Sequence, residues 1–482
     1  MNTNKALKKC DSIFNPFIFK ICILVMTLLT SVPFIHMYLG KYVKIFLLYG
    51  ILSVIYLVFR KGIRTVFKDK PGVLLIAFCV CYGVTVLLNR SSNFSENASA
   101  LLYMSVFFCL FFIFTLPLEE TAIRKEYTVL SGIIIIFTFI FALINFFMFA
   151  FKIGGSYMTN DQIMYYGMYD NRLWGLYNAN TNSMLCDISI VLSLGFILDS
   201  GHRIKTKVFC FANAVFDFIC LLLTGSRAAL YTLYVTVALI IFLWVVKKDD
   251  KKEFKKNIKG LVAGVLSAVL LFVSSYAIKY VVSYVPSICG NVMYMLSLGK
   301  NSDSSQKDSP NNKWISLERE DLTRLEEVEE RPGGILTGRT DLWQAGVKAF
   351  SKSPLFGIGR ENVYSYAKDY LKSDLWAKNL KVGGLHNIYL TILVSSGISG
   401  FVLMAVFALM SLFKMAKLLF KEKKCDIWFI VSLAMIVLFY VTEFVEARIL
   451  YQVGIFYVIF WIYLGLTYAL ANRSEKTKEA DK

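Results

Sequence analysis

Three histidines occur in the 482 residues, and one of them, His386, stands where an imidazole could do chemistry. It falls in Gly383-Gly384-Leu385-His386-Asn387-Ile388-Tyr389-Leu390, at the junction of a long polar stretch and an apolar run. His36 closes the first apolar run and His202 lies in a basic loop. Histidine is the side chain most easily tuned to move a proton near neutral pH. The same position could instead be structural, capping the helix that starts there. Arginines offer a second chemistry, the holding of anions. In Thr224-Gly225-Ser226-Arg227-Ala228 the loop between two apolar runs is so short that Arg227 sits at or just below the interface, where a charge needs a negative partner. Lipid phosphates would serve, and so would a phosphorylated substrate. In Thr337-Gly338-Arg339-Thr340-Asp341-Leu342-Trp343, Thr340 or Asp341 reads as the N-cap of an amphipathic helix that ends before Pro354. Arg339 then stands just ahead of free backbone N–H groups that also attract anions, or is an ordinary surface arginine. Ser353-Pro354-Leu355-Phe356-Gly357-Ile358-Gly359-Arg360 lacks the preceding strand and third glycine of a nucleotide loop, so Gly357 and Gly359 read as a tight turn.

The elements that must position these residues cross a membrane. Hydrophobic residues make up 56% of the chain and charged ones 18%, too little polar surface for a soluble protein of this size. Apolar runs fall at 17–36, 43–59, 72–89, 98–117, 128–151, 182–199, 207–223, 228–246, 260–285, 387–413, 427–446 and 450–469. Each is long enough to span a hydrocarbon core of about 30 Å, and none alternates with the period of a membrane barrel. The expected fold class is all-α: a polytopic integral membrane protein of about twelve transmembrane helices, with one large extracytoplasmic loop carrying short helices. The net charge of +18 does not point to nucleic acid, because the Lys and Arg residues cluster in short loops between apolar runs, as in inward-facing loops. Those loops share one side if both termini are cytoplasmic. The expected organisation is a transmembrane region at 1–285, an extracytoplasmic catalytic loop at 286–385, a second transmembrane region at 386–470 and a cytoplasmic tail at 471–482. Within the loop, 301–312 reads as a polar linker and 314–330 as a solvated, helix-compatible face; a second outward connection spans 152–182. No cleavable signal is expected after the basic leader. Most of the ten cysteines lie within apolar runs and read as buried small residues, and Cys79-Val80-Cys81 lacks a second pair at zinc spacing.

Taken together, the motifs resemble the O-antigen ligase and polysaccharide polymerase family of bacterial envelope enzymes. The likeness rests on Gly225-Ser226-Arg227, Gly338-Arg339 with Leu342-Trp343, the stretch from Ser353 through Gly359, His386-Asn387 with Tyr389-Leu390, and Gly397-Ile398-Ser399-Gly400. Arg172-Leu173-Trp174-Gly175-Leu176-Tyr177-Asn178-Ala179-Asn180 resembles the family's earlier outer-loop pattern. The strongest part covers 337–400. The resemblance implies glycan transfer from an undecaprenyl diphosphate-linked donor to a glycan, glycolipid or other acceptor, on the outer face of a bacterial plasma membrane. It implies His386 as the catalytic residue that activates the acceptor hydroxyl, and Arg227, Arg339, Arg172 and Arg360 as ligands of the donor diphosphate. Gly357, Gly359 and Asn387 would shape the site. Arginine's fork matches phosphate oxygens, and no outward Asp-x-Asp or His/Cys cluster offers a metal site, so neither metal nor cofactor is expected. A flippase or other multi-span transporter is the alternative. Such carriers use broken helices around polar groups at the membrane midplane, and here Asp187, Asp217 and Lys279 lie within apolar runs.

Overall fold

The computed structural model describes residues 2–159, 162–248, 253–298, 317–322, 339–371, 374–422 and 425–480. The expectations for 301–312, for most of 314–330 and for Thr337-Gly338 lie outside the described residues. Helices dominate. Eleven among the described residues are long and apolar enough to cross a membrane, and each overlaps one of the twelve expected runs, several extending well past it. The remaining apolar helix, Ile427–Thr442, has 16 residues and is about 24 Å long at 1.5 Å per residue. The chain divides into two compact units, Met1–Leu130 with Arg331–Lys482, and Ser131–Glu330.

In the first unit, the apolar window of the span Ile455–Arg473 is almost wholly buried. Gly465 lets it approach the π-helical stretch Phe108–Ile113 so closely that a Cβ there would strike the carbonyl oxygen of Phe111. Phe59 and Phe420 stand outward, 86% and 83% exposed, the inverted arrangement expected of lipid-facing helices. Lys20 and Glu126 form a buried ion pair at 2.7 Å, to which Thr115 Oγ1 adds a hydrogen bond from Lys20 Nζ at 2.7 Å.

Short helices follow in the same unit: Arg339–Phe350, Val363–Ala367 and Asp374–Gly383. Arg339, Thr340 and Asp341 all lie within the first, so neither Thr340 nor Asp341 is its N-cap. Leu342, Ala345, Ala349, Ile358, Val363, Leu380, Leu385 and Val394 form one buried apolar cluster, so these helices fold onto the long helix Ile388–Lys421. That helix is interrupted at Gly397, whose φ is 68°. The 354–359 turn fills the break. Ile358 N donates to Val394 O at 3.0 Å and Gly359 N to Ser395 O at 3.0 Å; in return Ile398 N donates to Pro354 O at 2.8 Å and Ser399 N to Leu355 O at 3.2 Å. A Cβ on Gly357 would strike the Ser395 carbonyl, and one on Gly397 would strike that of Leu355.

The second unit holds the spans Ala179–Leu198, Ile204–Thr224 and Arg227–Lys248, and the helix Glu253–Val282. The outward 152–182 connection is not a plain loop. Residues β1 (Gly154–Thr159), β2 (Gln162–Tyr169) and β3 (Arg172–Gly175) form an antiparallel sheet in sequence order. Tyr169 pairs with Arg172 across a two-residue turn, Asp170-Asn171, whose φ angles are 50° and 54°. Positive φ at both central residues suits the right-handed twist of a hairpin. Asp217, buried in this unit, accepts from Asn213 Nδ2 at 2.9 Å, and the same amide reaches Ser189 and Ser193 of the neighbouring helix. Asn213 thus ties the span Ile204–Thr224 to Ala179–Leu198.

Candidate active site

Three charged or titratable side chains of the first unit meet at a fourth, Glu446, in the connection between Ile427–Thr442 and Ile455–Ala480. Its Oε2 lies 3.3 Å from His386 Nδ1 and 3.2 Å from Arg448 Nη2, and its Oε1 lies 3.5 Å from Arg339 Nη2. All four side chains are between 13% and 26% exposed, which limits solvent screening of their charges. Burial works against the charge of Glu446, but Arg448, His386 and Arg339 together hold its carboxyl down at about 2. The guanidinium of Arg448 also stacks over Phe456, 5.0 Å from the ring centre.

The segment from Gly383 to Ile388 is tied down at every turn. Trp343 Nε1, on the helix that starts at Arg339, donates to Leu385 O at 3.0 Å. Asn387 is the N-cap of the interrupted helix, accepting from Leu390 N at 2.9 Å, so the capping role open to His386 falls to its neighbour. Ile388 N donates to Glu443 O at 3.0 Å, which joins this segment to the connection carrying Glu446. His386 itself has a φ of 48°, a left-handed conformation that non-glycine residues adopt at a cost. Its imidazole lies over Gly383, where any Cβ would fall on Nε2. Gly384, with φ 68°, leaves room for Arg360, whose Nη2 sits 2.8 Å from where a Cβ would stand.

Arg360 follows Gly357 and Gly359, whose φ angles of 75° and 85° fit the tight turn expected there. Its backbone N donates to Tyr82 Oη at 3.1 Å. Its side chain is 9% exposed, and the guanidinium finds no hydrogen-bond or ion-pair partner among the described residues. Glu443 is fully buried. Its Oε2 accepts from Arg448 N at 2.8 Å, Oε1 has no partner among the described residues, and burial pushes its carboxyl up to about 7.

The other two arginines belong to the second unit and share one turn there. Arg227 opens the helix Arg227–Lys248, two residues after Gly225, whose φ of 65° closes the preceding helix. Arg172, at the head of β3, donates from Nε to Thr224 O at 2.8 Å and from Nη2 to Asn180 Oδ1 at 3.5 Å. Arg227 lines a cavity of about 160 Å³ together with Lys279, Tyr231, Tyr234 and Tyr276.

Glu446 and Arg448 were not among the residues singled out by sequence. The expected runs 427–446 and 450–469 left only a short gap between them. The signal was Glu443-Phe444-Val445-Glu446-Ala447-Arg448 itself, three charges that hydrocarbon would not take unpaired.

Comparison with known proteins follows the same lines. Residues 212–405 match the family model described as O-antigen ligase. The exopolysaccharide production protein ExoQ of Rhizobium meliloti (strain 1021) is 30% identical over 132 residues, 26% of this chain and 30% of that protein. The likeness therefore spans less than a third of that relative's length.

Proposed function

From the match of residues 212–405 to the O-antigen ligase family model, we propose that the chain is a membrane glycosyltransferase. In this reading it transfers glycan from an undecaprenyl diphosphate carrier to an acceptor hydroxyl on the outer face of a bacterial membrane. The observation that carries it is the meeting of His386, Arg339 and Arg448 on one carboxylate, Glu446.

The acceptor oxygen forms a bond to the anomeric carbon of the donor sugar as the bond from that carbon to the phosphate oxygen breaks. The carrier diphosphate leaves with the bonding electrons, and the acceptor's proton passes to the imidazole. With Nδ1–H donated to Glu446, Nε2 is the basic nitrogen that takes it. Negative charge growing on the diphosphate is met by guanidinium groups, in the part that a divalent cation plays in many nucleotide-sugar enzymes. Arg339 and Arg448 are the proposed first partners. Arg227, Arg172 and Arg360 are proposed as further phosphate ligands on the resemblance, and 286–385 as the extracytoplasmic catalytic loop.

The likeness to an exopolysaccharide production protein favours polymer growth over a single transfer. Purified protein given one defined lipid-linked oligosaccharide should build a ladder of products. A single product that appears only with a separate acceptor would make it a ligase. Transport of a lipid-linked glycan is the weaker reading, because the broken helix Ile388–Lys421 has its freed backbone groups taken by the 354–359 turn. Orientation is tested by single cysteines on a cysteine-free background. Glu318→Cys should react with an impermeant thiol reagent added outside and Lys205→Cys should not; the reverse pattern would invert the proposed topology.

A further inference from the structure

Glu446 and Arg448 lie in a connection with no helix or strand, and Glu446 meets a histidine sixty residues away in the chain. One residue reaches the segments on both sides of that meeting. Glu443 follows directly on the helix Ile427–Thr442. Its carbonyl oxygen accepts from Ile388 N at 3.0 Å, two residues after His386. Ile388 opens its helix, so its N–H has no acceptor within the helix itself. The Glu443 side chain reaches the other way, and Oε2 accepts from Arg448 N at 2.8 Å, two residues after Glu446. That bond closes the 443–448 loop, and Trp461 Nε1, donating to Ile449 O at 2.8 Å, pins the residue beyond it. The Glu443 carboxyl is fully buried, and its Oε1 has no partner among the described residues. Burial pushes it up to about 7, against the charged form. A group so placed serves as a hydrogen-bond acceptor rather than as a fixed charge.

We propose that Glu443 is a positioning residue that sets the register of Glu446 and Arg448 against His386. Its effect on rate rests on the proposed transfer, in which His386 takes the acceptor's proton. The imidazole meets Glu446 at 3.3 Å, and Arg448 meets the same carboxylate at 3.2 Å. Both distances depend on where residues 446–448 sit relative to residue 386. Long side chains swing about several bonds, and a carboxylate accepts from many directions, so the cluster does not fix that place by itself. Both Glu443 bonds end on backbone N–H groups, and through one residue they tie main chain to main chain. Without the side-chain bond the 443–448 loop is free to shift, and a misplacement of about 1 Å lowers catalysis by about 10²-fold. The bond needs an acceptor oxygen at the reach of a glutamyl side chain. Glutamine supplies one at the same reach. Aspartate, one methylene shorter, keeps the carboxyl and loses the reach.

The test compares Glu443→Gln with Glu443→Asp in the full-length protein in nanodiscs. Nitrogen-15 labelling of histidine gives signals from only three imidazoles, and those of His386 are identified by their loss in His386→Ala. The Nδ1–H resonance, carried downfield by its hydrogen bond to Glu446, should persist in Glu443→Gln and vanish or move upfield in Glu443→Asp. Transfer from a defined lipid-linked oligosaccharide should stay within about twofold of wild type in Glu443→Gln and fall roughly 10–100-fold in Glu443→Asp. The opposite order, with aspartate active and glutamine not, would mean that Glu443 acts through its charge or its proton, and would overturn the inference. So would a His386 resonance that neither variant moves, or a Glu443→Gln protein that fails to fold, since glutamine keeps the acceptor. If the resonance behaves as expected but wild-type protein transfers glycan from no lipid diphosphate, the proposed function falls and the register assignment stands.

Discussion

The imidazole of His386 occupies the space that a side chain on Gly383 would need: a Cβ there would fall on its Nε2. Gly383→Ala should therefore push the ring away from Glu446 without removing it. Both Gly383→Ala and His386→Ala should lower the rate of transfer by about 10²–10⁴-fold, the usual contribution of a positioned imidazole. Binding of a labelled lipid diphosphate should survive in both. A His386→Ala protein that binds donor and turns over at the wild-type rate would strip the histidine of its catalytic role.

Arg339→Ala and Arg227→Ala should each abolish most transfer while the protein still inserts. Lysine at either position should restore only part of it, since a point charge lacks the fork that meets two phosphate oxygens. Arg172→Ala and Arg360→Ala should reduce output less. Glycan yield measured in membranes from each variant decides the matter, and wild-type yield from both Arg339→Ala and Arg227→Ala would remove diphosphate binding by these groups.

Glu443 titrates at about 7 in the folded protein, against 4.5 for a free side chain. Between those values the folded chain holds a proton that the unfolded chain has released, so stability falls as pH rises through the window and levels off above it. Glu446 works in the opposite sense. Held at about 2, it contributes stability that is present above pH 4.5 and fades as the pH drops toward 2. Glu443→Gln, neutral throughout, should show a flatter Tm between pH 5 and 8 and a higher Tm than wild type at pH 8. Thermal unfolding in detergent across that range is the measurement, and parallel profiles would sink the assignment.

Lys20 and Glu126 lie 2.7 Å apart with side chains 0% and 5% exposed. Removing one partner strands a buried charge, which costs about 3–5 kcal/mol. Glu126→Ala should accordingly unfold at lower temperature or lower denaturant, and the double variant Lys20→Met, Glu126→Leu should recover most of the loss. Additive losses in the double variant would mean that the two charges act independently.

Much of this arrangement was legible in the sequence because hydrocarbon imposes a simple rule on it. The apolar runs gave the helices. Arg339 before an amphipathic stretch and His386 at a polar-to-apolar junction stood out by place and residue type. Glu446 did not, since its meeting with His386 spans sixty residues and the expected helix ran through it. The helix ends at Thr442 instead, and nothing in the local apolar count marks that end. The β1–β3 sheet lies where an outward connection is expected, although Asp170-Asn171 between stretches rich in Tyr and Met is a hairpin signal. Which way Arg172 points depends on that hairpin, and so was hidden with it.

The break at Gly397 has a consequence for how the chain is made. Val394, Ser395, Ile398 and Ser399 complete their backbone hydrogen bonds only with the 354–359 turn, and lipid offers no substitute partners. A newly synthesised chain releases that turn from the ribosome before the helix it completes. Settling of residues 388–421 in the bilayer and closure of the turn upon them are therefore one event. A lesion at Gly357, outside every apolar run, should register in the cell as a failure of membrane insertion and early proteolysis.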